Sequence, residues 1–71
     1  MKIKDIGIVQ EGLAGETIDG AIQLYDDEKY PRIEIYGLRD EFGNLLESEE
    51  ELDELGKELA ELWNRRVRGE I

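Results

Sequence analysis

The sequence predicts a two-layer α+β domain, an antiparallel meander of three or four strands covered on one face by a single C-terminal helix. Three observations carry this. Residues 48–68 repeat apolar side chains at steps of three and four, the period of an amphipathic helix. Ahead of them, three short segments rich in Ile, Val and Tyr alternate at period two between turns built on Gly, Asp and Pro. The connections are too short for crossover helices, so consecutive strands run antiparallel and the lone helix must cover their apolar face. With 71 residues and no Cys, the chain is one domain, 1–71, near the lower limit for a core without staples.

The first strand spans about residues 2–10. Ile6 and Ile8 share one face while Ile3 and Val9 fall on the other, which places a bulge at Asp5 or Gly7. Gly12-Leu13-Ala14-Gly15 is a turn. The second strand, about 17–25, sets Ile18, Gly20, Ile22 and Leu24 against Thr17, Asp19, Gln23 and Tyr25. Residues 26–31 turn the chain, and Pro31, which has no N–H to give a ladder, suits the start of a strand. In the third strand, about 32–38, Ile33 and Ile35 point inward and Arg32, Glu34 and Tyr36 outward. Asp40-Glu41-Phe42-Gly43-Asn44 is a hairpin loop with Gly43 or Asn44 left-handed. Residues 44–46 form a brief fourth strand or an extended approach to the helix.

The helix occupies about 49–67. Ser48 and Glu51 form a capping box, each side chain reaching the other's backbone N–H. Leu52, Leu55, Leu59, Leu62, Trp63 and Val67 line its inner side; Glu50, Glu54, Glu58 and Glu61 line the outer. Gly56 lies beside the apolar stripe, where glycine costs ~1 kcal/mol relative to alanine, and close approach of helix and sheet accounts for it. The expected core is Ile6, Ile8, Ile18, Ile22, Leu24, Ile33, Ile35, Leu45, Leu52, Leu55, Leu59, Leu62 and Trp63. One helix covers one sheet face. The other stays open, with Tyr25 and Tyr36 on it beside Ile3 and Val9, and an open face invites self-association.

Charge narrows the function. Nine basic groups face nineteen acidic ones, net −10, and the excess is local. Residues 1–39 carry −3, residues 40–61 carry −9 with Lys57 against ten carboxylates, and residues 62–71 carry +2. Phosphate binding runs on Lys and Arg, so direct contact with DNA, RNA or an anionic membrane is disfavoured and a basic protein partner is favoured. No apolar run reaches the ~20 residues that span a bilayer, and the N-terminus reads as a strand, not a signal peptide, which gives a cytosolic default address.

Without Cys or His there is no thiol nucleophile, no zinc ribbon and no imidazole base. Carboxylates on a convex helix make no cleft for paired acid–base work, so the chain is read as a non-enzyme with no cofactor and no metal. Asp26-Asp27-Glu28 lacks the ligand spacing of a calcium loop and reads as an acidic turn. Gly12 and Gly15 precede neither a helix nor a lysine, so they are no phosphate loop. Trp63, at helical spacing on the apolar stripe, reads as core. Arg65 and Arg66 are the main basic cluster, with Glu61–Arg65 pairing along the helix as their plainest use.

The glutamates are the remaining signal. Four residues of helix rise ~6 Å, so Glu50, Glu54, Glu58 and Glu61 form a ladder whose step is comparable with phosphates along a nucleic-acid strand. Such a face is also the ordinary way to keep a surface helix soluble. Against that, Glu50–Glu54 and Glu54–Glu58 are like-charge i,i+4 pairs that weaken the helix by a few tenths of a kcal/mol each. Asp40 and Glu41 extend the negative patch beyond the helix.

The helix end Ala60-Glu61-Leu62-Trp63-Asn64-Arg65-Arg66, after the acidic run Glu49-Glu50-Glu51, resembles the C-terminal helix of small phage and prophage proteins, the restriction-alleviation family among them. The similarity covers about a quarter of the chain. Restriction-alleviation proteins look like zinc ribbons; this chain has no cysteine, so neither that fold nor its metal carries over. What the resemblance implies is a mobile-element origin, action in the host cytoplasm, and binding to host enzymes such as restriction and CRISPR complexes, whose nucleic-acid channels are basic. The expectation is an inhibitor that mimics nucleic acid through Glu50, Glu54, Glu58 and Glu61, with Asp40 and Glu41 in support. The alternative is a self-associating structural or regulatory module that uses the Tyr25/Tyr36 face.

Overall fold

The computed structural model of the chain describes residues 1–11 and 14–70; the expected turn at Gly12 and Leu13 lies outside them. Three strands, β1 (Ile3–Glu11), β2 (Thr17–Asp26) and β3 (Pro31–Ile35), form an antiparallel sheet in the order β1-β2-β3, and the C-terminal helix α1 (Glu49–Val67) lies on one face. This is the α+β meander that the sequence predicts. The register follows from the alternation: Ile6 pairs with Leu24, Ile8 with Ile22, Leu24 with Ile33 and Ile22 with Ile35. All six thus share the helix side, because one residue of slip would turn every side chain over.

Three departures have local causes. β1 bulges between Ile3 and Asp5, at Lys4 and not at Asp5 or Gly7. The extra residue swings Ile3 to the helix side, where it is 3% exposed, so Ile3 is core and not part of the open face. β3 stops at Ile35, short of 38, because Gly37 takes φ +74° and turns the chain. Leu38 N–H then donates to Gly20 and Leu46 N–H to Leu38, while Gly20 N–H donates to Leu46. The expected fourth strand is therefore a single bridge, Arg39 to Leu45, on a hairpin tied to Gly20. Gly20 permits this only by lacking a Cβ: at φ +65°, one would lie 2.5 Å from Leu38 O.

The helix begins where the cap predicts. Ser48 Oγ accepts from Glu51 N–H at 3.3 Å, the forward half of the capping box. Ile3, Ile22, Leu24 and Leu52 form the buried centre, with Ile6, Ile8, Ile33, Ile35, Leu59 and Trp63 packed around it. Gly56 sits against Ile6, whose Cδ1 would lie 2.9 Å from a Cβ there, so the close-approach reading of this glycine holds. Ala60 and Asn64 follow at four-residue steps on the same flank. This line of small side chains lets β1 come near, and at its end Asn64 clasps β1: Ile3 N–H donates to Oδ1 (2.7 Å) and Nδ2 donates to Ile3 C=O (2.8 Å). Trp63 Nε1–H adds a bond to Met1 C=O (3.0 Å). The first residues of the chain and the last turns of its helix are thereby one unit.

α1 packs on β1 and β2 and does not reach β3. Hence Leu62, expected in the core, is 51% exposed, and Val67 is exposed as well. Ile18, Leu45 and Leu55 are half-buried and lie outside the central cluster.

Candidate partner-binding surface

Every one of Glu50, Glu54, Glu58 and Glu61 is exposed on the solvent side of α1. They share that side because 3.6 residues make a turn, and over eleven residues the row is ~16 Å long. Among the described residues, ion pairs reach only one of the four: Arg68 lies 3.3 Å from Glu61. Arg68 also contacts Glu70, and Lys57 is committed to Asp53 at 2.9 Å. The expected Glu61–Arg65 pair is replaced by Glu61–Arg68: Arg68 still has helical dihedrals (φ −75°, ψ −5°), and seven residues, two turns, set it on the same side as Glu61. Glu50, Glu54 and Glu58 have no cation within ion-pair distance among the described residues.

Asp40 and Glu41 stand apart from this row, on the Arg39–Leu45 hairpin, and their roles differ. One oxygen of the Asp40 carboxylate is engaged inside the loop, where Oδ1 accepts from Phe42 N–H (2.9 Å) and Asn44 N–H (3.0 Å). Asp40 N–H donates to Asn44 C=O, Gly43 N–H (φ +85°) to Asp40 C=O, and Arg39 Nη1 to Gly43 C=O. So one oxygen of Asp40 shapes the loop, while both Asp40 and Glu41 are exposed on it. The loop also displays Phe42, which at 80% is the most exposed large apolar side chain described. Its cue in the sequence was an aromatic inside an Asp–Gly–Asn turn, where packing cannot hold it.

Tyr25 and Tyr36 both lie on the sheet face away from α1, Tyr25 half-buried and Tyr36 56% exposed. The Tyr25 ring crosses Gly7, where a Cβ would meet it at 2.8 Å, and its hydroxyl donates to Gln23. Tyr36 donates to Glu34, a bond that raises its pKa above the usual phenol value, since ionisation would set two negative charges together. A cavity of ≈ 490 Å³ opens beside Tyr25, between Lys4, Asp5 and Lys29, and a further apolar surface lies on the helix side of the sheet. Where α1 stops short of β3, Leu24, Ile33, Ile35, Leu59, Leu62 and Trp63 line a groove of ≈ 370 Å³ with Arg66 at its margin. The period of the helix placed Leu62 toward the sheet; which strand the helix would leave bare was not encoded in that period.

The Asp26 carboxylate is buried in the 26–31 turn. Oδ1 accepts from Glu28 N–H (2.9 Å) and Tyr30 N–H (3.0 Å), and Arg32 Nε donates to Oδ2 (2.5 Å). The Arg32 guanidinium, with the two backbone donors, holds the Asp26 pKa below the usual carboxylate range. With its oxygens so engaged, Asp26 is a turn former and not a cation ligand. Among the described residues no cluster of three potential metal ligands occurs, and no helix is long and apolar enough to cross a membrane. Comparison of the chain with protein-family models, curated proteins and solved structures finds no match.

Proposed function

We propose that this protein is a non-enzymatic inhibitor, encoded by a phage or other mobile element, that binds the basic channel of a host nucleic-acid-processing complex in place of nucleic acid. The observation that supports it is the row Glu50, Glu54 and Glu58, exposed and without an ion-pair partner among the described residues; Lys57, which also feels Glu54, is paired with Asp53, and Arg68 with Glu61. A face kept only for solubility does equally well with the signs interspersed, and interspersed signs would also strengthen the helix. The rigid helix fixes the spacing of the charges, and Glu41 adds one more from the hairpin. Complementary charge makes association fast and salt-dependent.

The test is binding to purified CRISPR surveillance complexes and restriction enzymes, with duplex DNA as competitor, at low and raised salt. Wild type should compete with DNA and lose affinity with salt, and the E50R/E54R double variant should not compete while melting normally. Competition that survives both charge reversal and high salt excludes the row as the binding surface.

A further inference from the structure

The molecule carries a knob and a hole that do not meet each other. The knob is Phe42, held out in water by a loop whose backbone is fixed by five hydrogen bonds, so its apolar ring is presented and not merely frayed. The hole is the groove between α1 and β3, which at ≈ 370 Å³ has room for an aromatic side chain. Charge matches shape. Glu41 adjoins the knob, and Arg66 edges the hole with no ion-pair partner among the described residues. Within one chain the two are kept apart, because the hairpin is tied to Gly20 while Arg66 lies at the other end of β3.

We propose that this chain forms a two-fold dimer in which Phe42 of each copy fills the groove of the other, with Glu41 meeting Arg66 of the second copy. Setting two β3 edges side by side and antiparallel produces this arrangement, since the hairpin end of one β3 then faces the Arg66 end of the next. With Ile33 opposite its own copy, Arg32 also falls opposite Glu34, a favourable cross-strand match. β3 is the edge free to do this: β1, the other edge, is clasped at Ile3 by Asn64. Strands ~4.8 Å apart put the two helices roughly 19 Å apart, whereas packed helices sit 8–10 Å apart. The trough left between them is what the two Phe42 rings occupy. The pairing uses the flank of α1 toward β3 and leaves Glu50 and Glu54 outside, so it stands or falls independently of the inhibitor reading.

Sedimentation equilibrium at micromolar concentration, followed in parallel by emission of Trp63, the single tryptophan, tests it. Wild type should dimerise with a blue shift as the groove is filled. Phe42→Ala, which removes an exposed side chain and leaves the fold intact, should weaken the dimer at least ~30-fold, as loss of a central anchor does. E41R or R66E alone should weaken it, and the two together should restore it. E50R/E54R should dimerise like wild type even where it loses a host partner. A wild-type monomer throughout, a dimer indifferent to Phe42→Ala, or one broken instead by Tyr36→Ala overturns the proposal.

Discussion

Replacing Asn64 with Ala removes both bonds by which the helix holds the first strand. Asn64 is 8% exposed and Ile3 is 3% exposed, so the Ile3 N–H and C=O would be left with little access to water. Each net hydrogen bond contributes about 1 kcal/mol, and a buried polar group left unmade costs about 1–3 kcal/mol. The two overlap and water can partly enter beside a truncated side chain, so the expected loss is about 2–4 kcal/mol. A domain of this length has roughly 4–10 kcal/mol in all. Asn64→Ala should therefore lower the urea midpoint by a fifth or more of its wild-type value, and exchange of the Ile3 amide should accelerate beyond the global change. Asn64→Asp keeps the acceptor for Ile3 N–H but not the donor to Ile3 C=O, and should fall between. A loss under ~0.5 kcal/mol for Asn64→Ala, with the Ile3 amide still protected, would refute the clasp.

The two tight glycines should behave oppositely. Gly20→Ala forces a Cβ to within 2.5 Å of Leu38 O at a positive φ and should cost about 2–3 kcal/mol, read from denaturant melts. Gly56→Ala meets only the flexible tip of Ile6 and gains helix propensity, so the same measurement should move by less than ~1 kcal/mol. Because the Asp26 pKa is lowered in the folded state, its contribution to stability is present above the ordinary carboxylate value and is lost as pH falls through the folded one. Asp26→Asn should accordingly flatten the acid limb of a melting-temperature profile while lowering the plateau near neutrality. Glu54→Lys replaces two like-charge pairs by two attractive ones but turns its attraction to Lys57 into repulsion, so it should stabilise the helix by about 0.3–0.5 kcal/mol while weakening binding to a basic partner. A variant less stable than wild type would remove the argument that the row is kept at a cost to the fold.

Much of this fold is legible because local signals agree. Ser48 and the apolar repeat fixed α1 to its ends, and period-two alternation showed which residues of β1, β2 and β3 face the helix, Ile3 excepted. What escaped depends on where elements sit relative to one another. A helical period shows which side of α1 is apolar but not that α1 lies over β1 and β2; hence Leu62 was expected inside and the groove was not expected. A bulge is legible as a break in alternation, but whether it falls at Lys4 or Asp5 decides the side of Ile3, and only the clasp by Asn64 decides that. Asn64 had a cue in retrospect: Gly56, Ala60 and Asn64 make a line of small side chains at four-residue steps, the flank where another backbone can approach. Of the surface residues, the glutamate row was legible from spacing alone. The loop-forming bonds of Asp40 Oδ1 were not, since a carboxylate that also serves its own loop looks like any other in a sequence.

The clasp and the glutamate row bear on each other. Like charges stacked at i,i+4 weaken the helix that carries them, so a helix dense in glutamate depends on its other side for rigidity. On that side Leu52, Leu59 and Trp63 pack on the sheet, but Gly56 and Ala60, which bring β1 close, bury little, and Leu62 and Val67 are exposed. The hydrogen bonds from Asn64 and Trp63 to Ile3 and Met1 supply the fixing that apolar area does not, at the end of α1 farthest from the Ser48 cap. A row of charges can imitate a regular phosphate backbone only if its spacing is held. In Asn64→Ala, amide exchange should therefore place the new motion in the last two turns of α1, and competition with DNA should fall only by the share that Glu61 carries, since Glu50, Glu54 and Glu58 lie in the turns held by the Ser48 cap and Leu52. Full competition from a Ser48→Ala variant whose first turns exchange freely would mean that a charged segment suffices and that its geometry is irrelevant, which is incompatible with mimicry of a regular strand.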